Sequence, residues 1–524
     1  MKRWEYWLLF GVSVLVAVVI SAFQETPGYM DADYYFMGGI QLAEGKGFSE
    51  PVIWNYLNDP QTIPQPSHQY WMPMASIIAA GGMVLFGSTS YWAGRFLFIL
   101  IAGLIPVVVS VLSTVVTKDP RLARLSGAFA IASGYYAIYF PVTESFGLYM
   151  LGGALFFLLL ASLEDKTSLW RWLGLGLVSS FMALTRADGT GFIVVGFMFL
   201  IYKYIQSLRQ TADFKLPWLA WIAFLVGVSL PMGSWMVRNW LVLGQVQAAG
   251  AYKTLWLTSY NQLFVYPTDS ITFHNWLSTG WSIIIVRLTA LGKNLLTLLV
   301  VQGGIVLLPL ILAGAWKLRK LRVVQIAGLV YGGLLLGLTV LFPFPSERGG
   351  FFHSGAAMQP MLWVLAVAGI QPVAAWVEKR GIKFISVNRI AILVLSVMVI
   401  STIYVTTTRL FGIGGTEEGW NTRSHHYAEV DTLITNLGGG DSARVAVSNP
   451  PSYWVVNRRE AIVIPDGSPE DLMNVAQKFG VTYLVLEQGH SSQMDGLYAG
   501  QVVEGLTRIG EVGTTQIYRI GTKP

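Results

Sequence analysis

Two carboxylates stand close together near the start of the chain, in the run Asp31-Ala32-Asp33-Tyr34-Tyr35. The first apolar run of the sequence ends only a few residues earlier. A pair of carboxylates at the edge of a membrane can act as a general base or can hold a divalent cation. The same pattern is typical of a solvated loop or of acids at the start of a helix. Asp31 and Asp33 are therefore candidate catalytic residues, with both interpretations open.

Glu144 is a third acidic candidate, because the segment 141–145 that contains it lies between two apolar runs. An acid at that depth is a functional-site hypothesis by default, although an acid near a helix start also favours the helix dipole. His68 lies in the loop segment 66–73, where a histidine is more often solvated than a ligand. If the fold brings His68 to Glu144, the two side chains could bridge a divalent cation.

Three arginines complete the unusual polar residues, and each follows an apolar run: Arg186, Arg238 and Arg348. His353 comes shortly after the last of them. Guanidinium groups suit phosphate because they stay charged and present two parallel donors. A single arginine at a membrane surface more often extends to lipid headgroups. Three on one side of the membrane, together with the acids, favour a phosphate-binding site that includes His353.

The composition places these residues in a membrane protein. The chain has 524 residues, of which 53% are hydrophobic and 12% are charged, with a mean hydropathy of +0.53. Soluble domains carry about 25% charged residues. The chain has no cysteine, which excludes disulfides, thiolate metal sites and cysteine nucleophiles. Neither a nucleotide-binding glycine motif nor a basic aromatic surface is evident, so we expect no nucleic-acid partner.

About eleven apolar runs are long enough to suggest transmembrane helices. They lie near residues 7–23, 93–116, 126–141, 145–163, 170–185, 188–204, 216–236, 294–316, 323–343, 354–376 and 389–408. The first follows Lys2 and Arg3 and lacks a good cleavage site, so we interpret it as a retained anchor. The apolar segment 72–87 is short, and we predict a helix that lies on the membrane surface.

The distribution of basic residues predicts the orientation in the membrane. With the segment 72–87 on the surface, the loops on one side hold Lys2, Arg3, Lys118, Arg121, Arg124, Lys166, Arg171, Lys203, Arg209, Lys215, Lys317, Arg319, Lys320, Arg322, Lys379, Arg380, Lys383 and Arg389. The other side holds only Lys46, Arg186, Arg238, Lys253, Arg287, Lys293 and Arg348. The positive-inside rule then predicts a cytoplasmic N-terminus in the inner or plasma membrane and an external C-terminus.

The composition changes after residue 408. Segments 443–449, 460–465, 482–487 and 515–520 read as strands, and 468–479 reads as a helix between them. We therefore predict an all-α polytopic membrane domain over residues 1–408, with a long outer loop at 24–92. A small extracytoplasmic α/β domain follows over residues 409–524.

Several short motifs resemble the GT-C superfamily of polyprenyl-phosphate-sugar-dependent glycosyltransferases. Its members carry a catalytic Asp soon after the first span, then a Tyr and a glycine-bearing helix, matched by Asp31, Tyr35 and the segment 42–45. The segment 70–87 resembles their proline-containing surface helix, which ends in an aromatic-glycine step. The resemblance covers about residues 1–408 in layout.

Further motifs match in the middle of the chain. Glu144 matches the second acid of this superfamily, the segment 184–189 matches its Leu-Thr-Arg-x-x-Gly turn, and Arg238 with Asn239 matches its Arg-Asn pair. Within this superfamily, the motifs resemble those of the protein O-mannosyltransferase and lipid A aminoarabinose transferase families. The latter carries an acid before the surface-helix proline, where this chain has Trp71, so the use of a metal stays open.

The resemblance implies a membrane glycosyltransferase that transfers a hexosyl or pentosyl group, with inversion, from a polyprenyl-phosphate donor to an external glycan, lipid or protein acceptor. Asp31 or Asp33 would be the base, the three arginines and His353 would bind the donor, and Glu144 with His68 would hold a divalent cation. The alternative is a transporter, or a lipid- or sugar-binding membrane protein without catalysis. Transporters place polar residues at mid-membrane, whereas here they lie at one edge.

The orientation can be tested with cysteines introduced at Ser49 and Ser468, since the chain has none of its own. Both should react with a membrane-impermeant thiol reagent in intact cells, because both lie outside in the predicted topology. Labelling that requires permeabilised membranes at either position would show that the orientation is wrong.

Overall fold

The computed structural model describes residues 1–165, 167–209, 218–248, 250–381, 386–414 and 418–521. Lys166, Lys215 and Lys383, three of the basic residues counted as cytoplasmic, lie outside the described residues. The described part is mainly helical, with one mixed sheet near the C-terminus.

The first half of the chain forms α1 (Arg3–Ser21), α2 (Met30–Ala43), α3 (Met74–Phe86), α4 (Tyr91–Thr117), α5 (Pro120–Ile131), α6 (Ser145–Asp165), α7 (Leu169–Thr185), α8 (Thr190–Arg209), α9 (Leu219–Val228) and α10 (Ser234–Leu243). The second half forms α11 (Gly250–Lys253), α12 (Phe273–Ser278), α13 (Ser282–Thr297), α14 (Leu308–Leu318), α15 (Arg322–Val340), α16 (Pro343–Pro345), α17 (Phe351–Ala356), α18 (Gln359–Lys379), α19 (Val387–Phe411), α20 (Thr422–Asn436), α21 (Pro450–Asn457), α22 (Pro469–Phe479) and α23 (Asp495–Tyr498).

Nine helical segments among the described residues are long and apolar enough to cross a membrane. They are Arg3–Ser21, Tyr91–Thr117, Ser145–Glu164, Ala187–Arg209, Leu219–Leu243, Ser282–Gln302, Arg322–Val340, Gln359–Lys379 and Val387–Phe411. A polytopic membrane protein is therefore confirmed, whereas the count of about eleven spans is not.

Two of the predicted runs do not form single spanning helices. The run 126–141 is interrupted after α5 by Gly134, whose φ of +62° lies outside the right-handed helical region. The run 294–316 is divided by Ile305, with φ at +61°, so that one long helix ends at Gln302 and the short helix α14 follows. Hydropathy detects both runs, but it does not register a break in the backbone.

Two further predicted helices are short. The run 170–185 corresponds to α7, which has 17 residues. The segment 72–87 corresponds to α3, which has 13 residues and is too short to cross the hydrocarbon core. The prediction that residues 72–87 do not span is consistent with this length.

The strands are β1 (Ser49–Glu50), β2 (Val52–Ile53), β3 (Gln65–Pro66), β4 (Arg444–Val447), β5 (Ala461–Val463), β6 (Val481–Leu486), β7 (Leu506–Val512) and β8 (Thr515–Ile520). Strands β1 and β3 form a two-stranded antiparallel pair. The others form a six-stranded sheet in the order β2-β5-β4-β6-β8-β7, in which β2, β5, β4 and β6 are parallel. All four predicted C-terminal strands and the helix between them are present, at β4, β5, β6, β8 and α22.

The sheet contains a strand that comes from the first outer loop. Val52 and Ile53 of β2 pair in parallel with Ala461 and Ile462 of β5. A hydrogen-bonded sheet cannot be divided by a membrane, since all its strands share one solvent compartment. The loop and the C-terminal sheet therefore lie on the same side of the membrane. Which side this is, and the division into domains at residue 408, stay predictions.

Helix α6 makes a close contact with the residue that follows α17. A Cβ atom on Gly153 of α6 would lie 1.9 Å from the carbonyl oxygen of Ala357. Only glycine permits this approach, as at many helix contacts in membranes. The same helix carries Gly147, where an added Cβ would find its nearest neighbour, Phe140 O, at 3.8 Å.

Replacing Gly153 with alanine should therefore lower the midpoint of thermal unfolding, because overpacking a buried contact costs about 1–3 kcal/mol. The matched control is Gly147→Ala on the same helix, which should keep or raise the midpoint because alanine favours helix. Tryptophan fluorescence in lipid nanodiscs measures both. Equal midpoints for the two variants would show that α6 and α17 are not in this contact.

Candidate active site at the start of α2

The first turn of α2 separates the two predicted catalytic carboxylates. Asp31 and Asp33 are both in this turn, and residues two apart on a helix point about 200° away from each other. The side chain of Asp31 faces Glu144 and His353. The side chain of Asp33 faces the other way, toward Ser452 of α21. The spacing in sequence therefore places one carboxylate, and not both, in a shared site.

Asp31, Glu144 and His353 form a compact cluster that we call the acid–histidine cluster. The Nε2 atom of His353 lies 3.8 Å from Oδ2 of Asp31 and 3.8 Å from Oε1 of Glu144. One oxygen of each acid and one ring nitrogen of the histidine all lie within 4.8 Å of one another. Glu144 is 1% exposed, whereas the Asp31 side chain is 29% exposed, so Asp31 is the member most open to solvent.

Glu144 and His353 are each held by local contacts. Glu144 Oε1 accepts a hydrogen bond from the backbone N–H of Ser145 at 2.5 Å, while its Oε2 is buried and unpaired. His353 Nδ1 lies 2.9 Å from the carbonyl oxygen of Gly349. Because a carbonyl only accepts, Nδ1 carries the proton and Nε2 presents its lone pair to the two acids. The imidazole ring also stacks on Phe146 at 4.0 Å.

Burial shifts the pKa of every group in the cluster. Desolvation raises the pKa of Asp31, and the charge of Arg186 opposes that shift. Desolvation and the neighbouring Asp31 raise the pKa of Glu144. Desolvation, then the charge of Arg186, lowers the pKa of His353 to about 3, so this histidine is neutral at physiological pH. The cluster therefore offers two carboxyls of unusual basicity and a neutral imidazole.

Arg186 supplies a positive charge that acts on all three groups of the cluster. Its Nε donates to Asp188 Oδ1 at 3.0 Å, and the Tyr149 hydroxyl donates to the other oxygen of Asp188 at 3.2 Å. The pair is only partly exposed, with 18% of the Arg186 side chain and 17% of the Asp188 side chain accessible. Asp188 thus fixes the guanidinium beside the acids and leaves its terminal nitrogens for another partner.

Arg348 lies at the rim of the same site. Its guanidinium stands 4.8 Å from the ring centre of Tyr260 and is exposed. The charge of Asp31 helps to raise the pKa of Tyr260 and of Tyr70, after the larger effect of burial on each. Tyr70 and Tyr260 therefore lie close enough to Asp31 to sense its charge, and Arg348 contacts the second of them.

His68 and Arg238 belong to a different group of contacts. The ring nitrogens of His68 lie 2.7 Å from the Ser67 hydroxyl and 2.9 Å from the Ser76 hydroxyl. One guanidinium nitrogen of Arg238 donates to the carbonyl oxygens of Phe48 and Ser67, both at 3.1 Å. Burial lowers the pKa of His68 to about 3. The structure does not bring His68 to Glu144, and this histidine has no ring nitrogen left for a cation.

The proposed cation pair is therefore corrected in one member. Glu144 remains, but the histidine beside it is His353, which the sequence analysis assigns to phosphate binding. Asp31 is the third member of this cluster. Glu50 was missed entirely: its buried carboxyl accepts from Tyr34 at 2.6 Å and from Gln65 at 2.7 Å, in the group that contains His68. Contacts between residues distant in sequence leave no local pattern. The sequence therefore indicates neither the place of His353 beside Glu144 nor the buried contacts of Glu50.

No protein-family model and no curated protein matches the sequence. Solved structures do match the fold. The Archaeoglobus fulgidus oligosaccharyltransferase, in complex with Zn and sulfate, is 13% identical with a TM-score of 0.58, and the match covers 93% of this chain and 69% of that one. ArnT from Cupriavidus metallidurans, bound to undecaprenyl phosphate, is 12% identical with a TM-score of 0.57 and coverages of 99% and 98%.

A third solved structure extends the same picture. The arabinofuranosyltransferase AftD from Mycobacteria is 13% identical with a TM-score of 0.51, and the match covers 100% of this chain and 42% of that one. All three are GT-C glycosyltransferases. The chain therefore has the GT-C fold, a helical membrane domain with a small β-containing C-terminal region, as the sequence motifs implied.

Proposed function

We propose that this protein is a glycosyltransferase that moves a sugar from a polyprenyl-phosphate carrier to an acceptor on the extracytoplasmic side of the membrane. The observation that carries the proposal is the acid–histidine cluster in a GT-C fold, in which Asp31 follows closely after the first span. Solved structures of the same fold contain undecaprenyl phosphate or a dolichol-phosphate with an inhibitory peptide. A lipid-borne headgroup would lie at this height of the membrane.

Asp31 is the proposed general base. Its carboxylate takes the proton from an acceptor hydroxyl while that oxygen attacks the anomeric carbon. The bond between the anomeric carbon and the phosphate oxygen breaks, and polyprenyl phosphate leaves with the bonding electrons. A single displacement of this kind inverts the anomeric configuration. The raised pKa of Asp31 makes it a stronger base at neutral pH than an exposed aspartate would be.

Arg186 and Arg348 are the proposed ligands of the donor phosphate. Arg186 is oriented by Asp188 close to Asp31, and Arg348 reaches the open side of the same site. Arg238 instead donates to two backbone carbonyls, so we do not include it among the proposed donor ligands. Guanidinium groups fixed in this way stabilise the charge that develops on the leaving phosphate.

A divalent cation fits the acid–histidine cluster. Two carboxylates and a neutral imidazole are ligands that Zn²⁺ and Mn²⁺ accept, and the hydrogen bond from His353 Nδ1 to Gly349 is the usual support of such a ligand. Glu144 Oε2 and His353 Nε2 are buried without a partner, which is costly unless a cation or a bound group compensates. When bound, the cation would stabilise the negative charge of the donor phosphate.

Asp31→Asn should abolish transfer, because the amide keeps the shape of the side chain but cannot take the proton. Loss of a general base costs on the order of 10²–10⁴-fold in rate. The measurement is mass spectrometry of cell-envelope glycans in a deletion strain that expresses each variant at equal membrane levels. The matched control is Asp59→Asn in the same outer loop, whose carboxylate is 61% exposed.

The control should restore the wild-type glycan profile, and Asp31→Asn should leave the profile of the deletion strain. Full restoration by Asp31→Asn would mean that the base lies elsewhere.

Binding of Mn²⁺ should strengthen as the pH rises from about 5.5 to about 8.5. The cation binds the deprotonated carboxylates, whereas the raised pKa values of Asp31 and Glu144 keep these groups protonated further toward neutral pH. The increase in thermal midpoint on adding Mn²⁺ to the purified protein in nanodiscs measures this effect. Glu144→Gln should remove it, and His68→Gln should retain it. A shift that is equal at both pH values, or that is lost in His68→Gln, contradicts the site.

A further inference from the structure

Asp33 makes contact with the C-terminal domain and not with the acid–histidine cluster. Its side chain is 2% exposed, and one carboxylate oxygen accepts a hydrogen bond from the hydroxyl of Ser452, which lies 419 residues further along the chain. Burial raises the pKa of this carboxyl, and the Ser452 hydroxyl, the charge of Arg423 and the backbone N–H of Gly28 oppose that rise. A buried carboxylate needs such donors, since an unpaired buried charge is strongly unfavourable.

Ser452 is itself held firmly within the C-terminal domain. Its helix, α21, is capped by the preceding residue Asn449, whose side chain accepts from the backbone N–H of Ser452 at 3.2 Å. The next residue, Tyr453, donates its hydroxyl to Asp431 at 2.6 Å, and Arg459 forms an ion pair with the same carboxylate at 2.6 Å. Ser452, the partner of Asp33, is therefore held in place by contacts within the C-terminal domain.

Two further hydrogen bonds join the C-terminal domain to the segments before and after α2. The indole N–H of Trp420 donates to the carbonyl oxygen of Thr26 at 2.9 Å, before α2 begins. The hydroxyl of Tyr56 donates to the carbonyl oxygen of Val463 at 2.5 Å, after α2 ends. Between them, the bond from Ser452 to Asp33 holds α2 itself, two residues from Asp31 and on the opposite face of the helix.

We propose that Asp33 is a positioning residue, which ties α2 to Ser452 of the C-terminal domain and so fixes Asp31 in the acid–histidine cluster. The C-terminal domain is then a required part of the transferase, because it contacts α2 on the face opposite to Asp31. This proposal rests on the proposed function for its effect on transfer, whereas the bond itself can be tested without any substrate.

The bond is tested by hydrogen–deuterium exchange of residues 30–43 in the full-length protein in lipid nanodiscs. Ser452→Ala removes the donor, and the amides of α2 should exchange roughly 10-fold faster or more, the factor that corresponds to a hydrogen bond to a charged group. The matched control is Thr515→Val, which removes a buried hydroxyl that bonds His426 within the C-terminal domain. This control should leave exchange in α2 unchanged.

A swap of the two groups separates positioning from catalysis. Asp33→Ser combined with Ser452→Asp keeps one hydroxyl and one carboxylate across the contact, so it should restore slow exchange in α2 and most of the envelope glycan signal. Asp33→Ser alone should lose both. A catalytic Asp33 could not be rescued in this way, because its carboxylate would have moved to α21.

Three results would overturn the proposal. They are unchanged exchange in α2 for Ser452→Ala, faster exchange with normal glycan transfer, and a swap that restores exchange but not transfer. Failure of the proposed function gives a different result, namely a glycan profile that does not depend on Asp31, and the exchange data still decide whether the bond to Ser452 holds α2.

Discussion

Two carboxylates held side by side in a largely dry site are the constraint on which the rest of this structure depends. Asp31 and Glu144 raise each other's electrostatic energy, and burial adds to it. Arg186 compensates part of that cost with its charge, while His353 stays neutral and presents a lone pair. The repulsion between the two acids is relieved only when a positive charge or a proton lies between them. A bound donor, an acceptor hydroxyl or a cation would supply that group.

The helices are arranged so that these groups meet. Asp31 belongs to α2, Glu144 precedes α6, and His353 lies on α17, so three separate segments must converge within a few ångströms. The close approach at Gly153 draws α6 toward the end of α17, and the loop strand β2 joins the C-terminal sheet. The C-terminal sheet is therefore continuous with the loop between α2 and α3.

The sequence predicts the parts of this site that depend on local patterns. Hydropathy indicates the membrane domain, and the positions of Asp31 after the first span and of Glu144 between two apolar runs single out both acids as candidates. Helical geometry, once α2 is known to start at Met30, separates Asp31 from Asp33. By contrast, the pairing of His353 with the acids, the bond from Ser452 to Asp33 and the strand β2 all join distant residues. Only the folded chain shows these contacts, because no local periodicity encodes them.

Consumption of a lipid-linked sugar by this protein is tested most directly with the lipids of a deletion strain. Lipid extracts of that strain, incubated with the purified protein in nanodiscs and a crude envelope acceptor fraction, can be analysed by mass spectrometry. A polyprenyl-phosphate sugar should disappear and free polyprenyl phosphate should appear in equal amount with wild-type protein, but not with Asp31→Asn. Unchanged levels of every polyprenyl-phosphate sugar in the presence of the wild-type protein would contradict the proposed function.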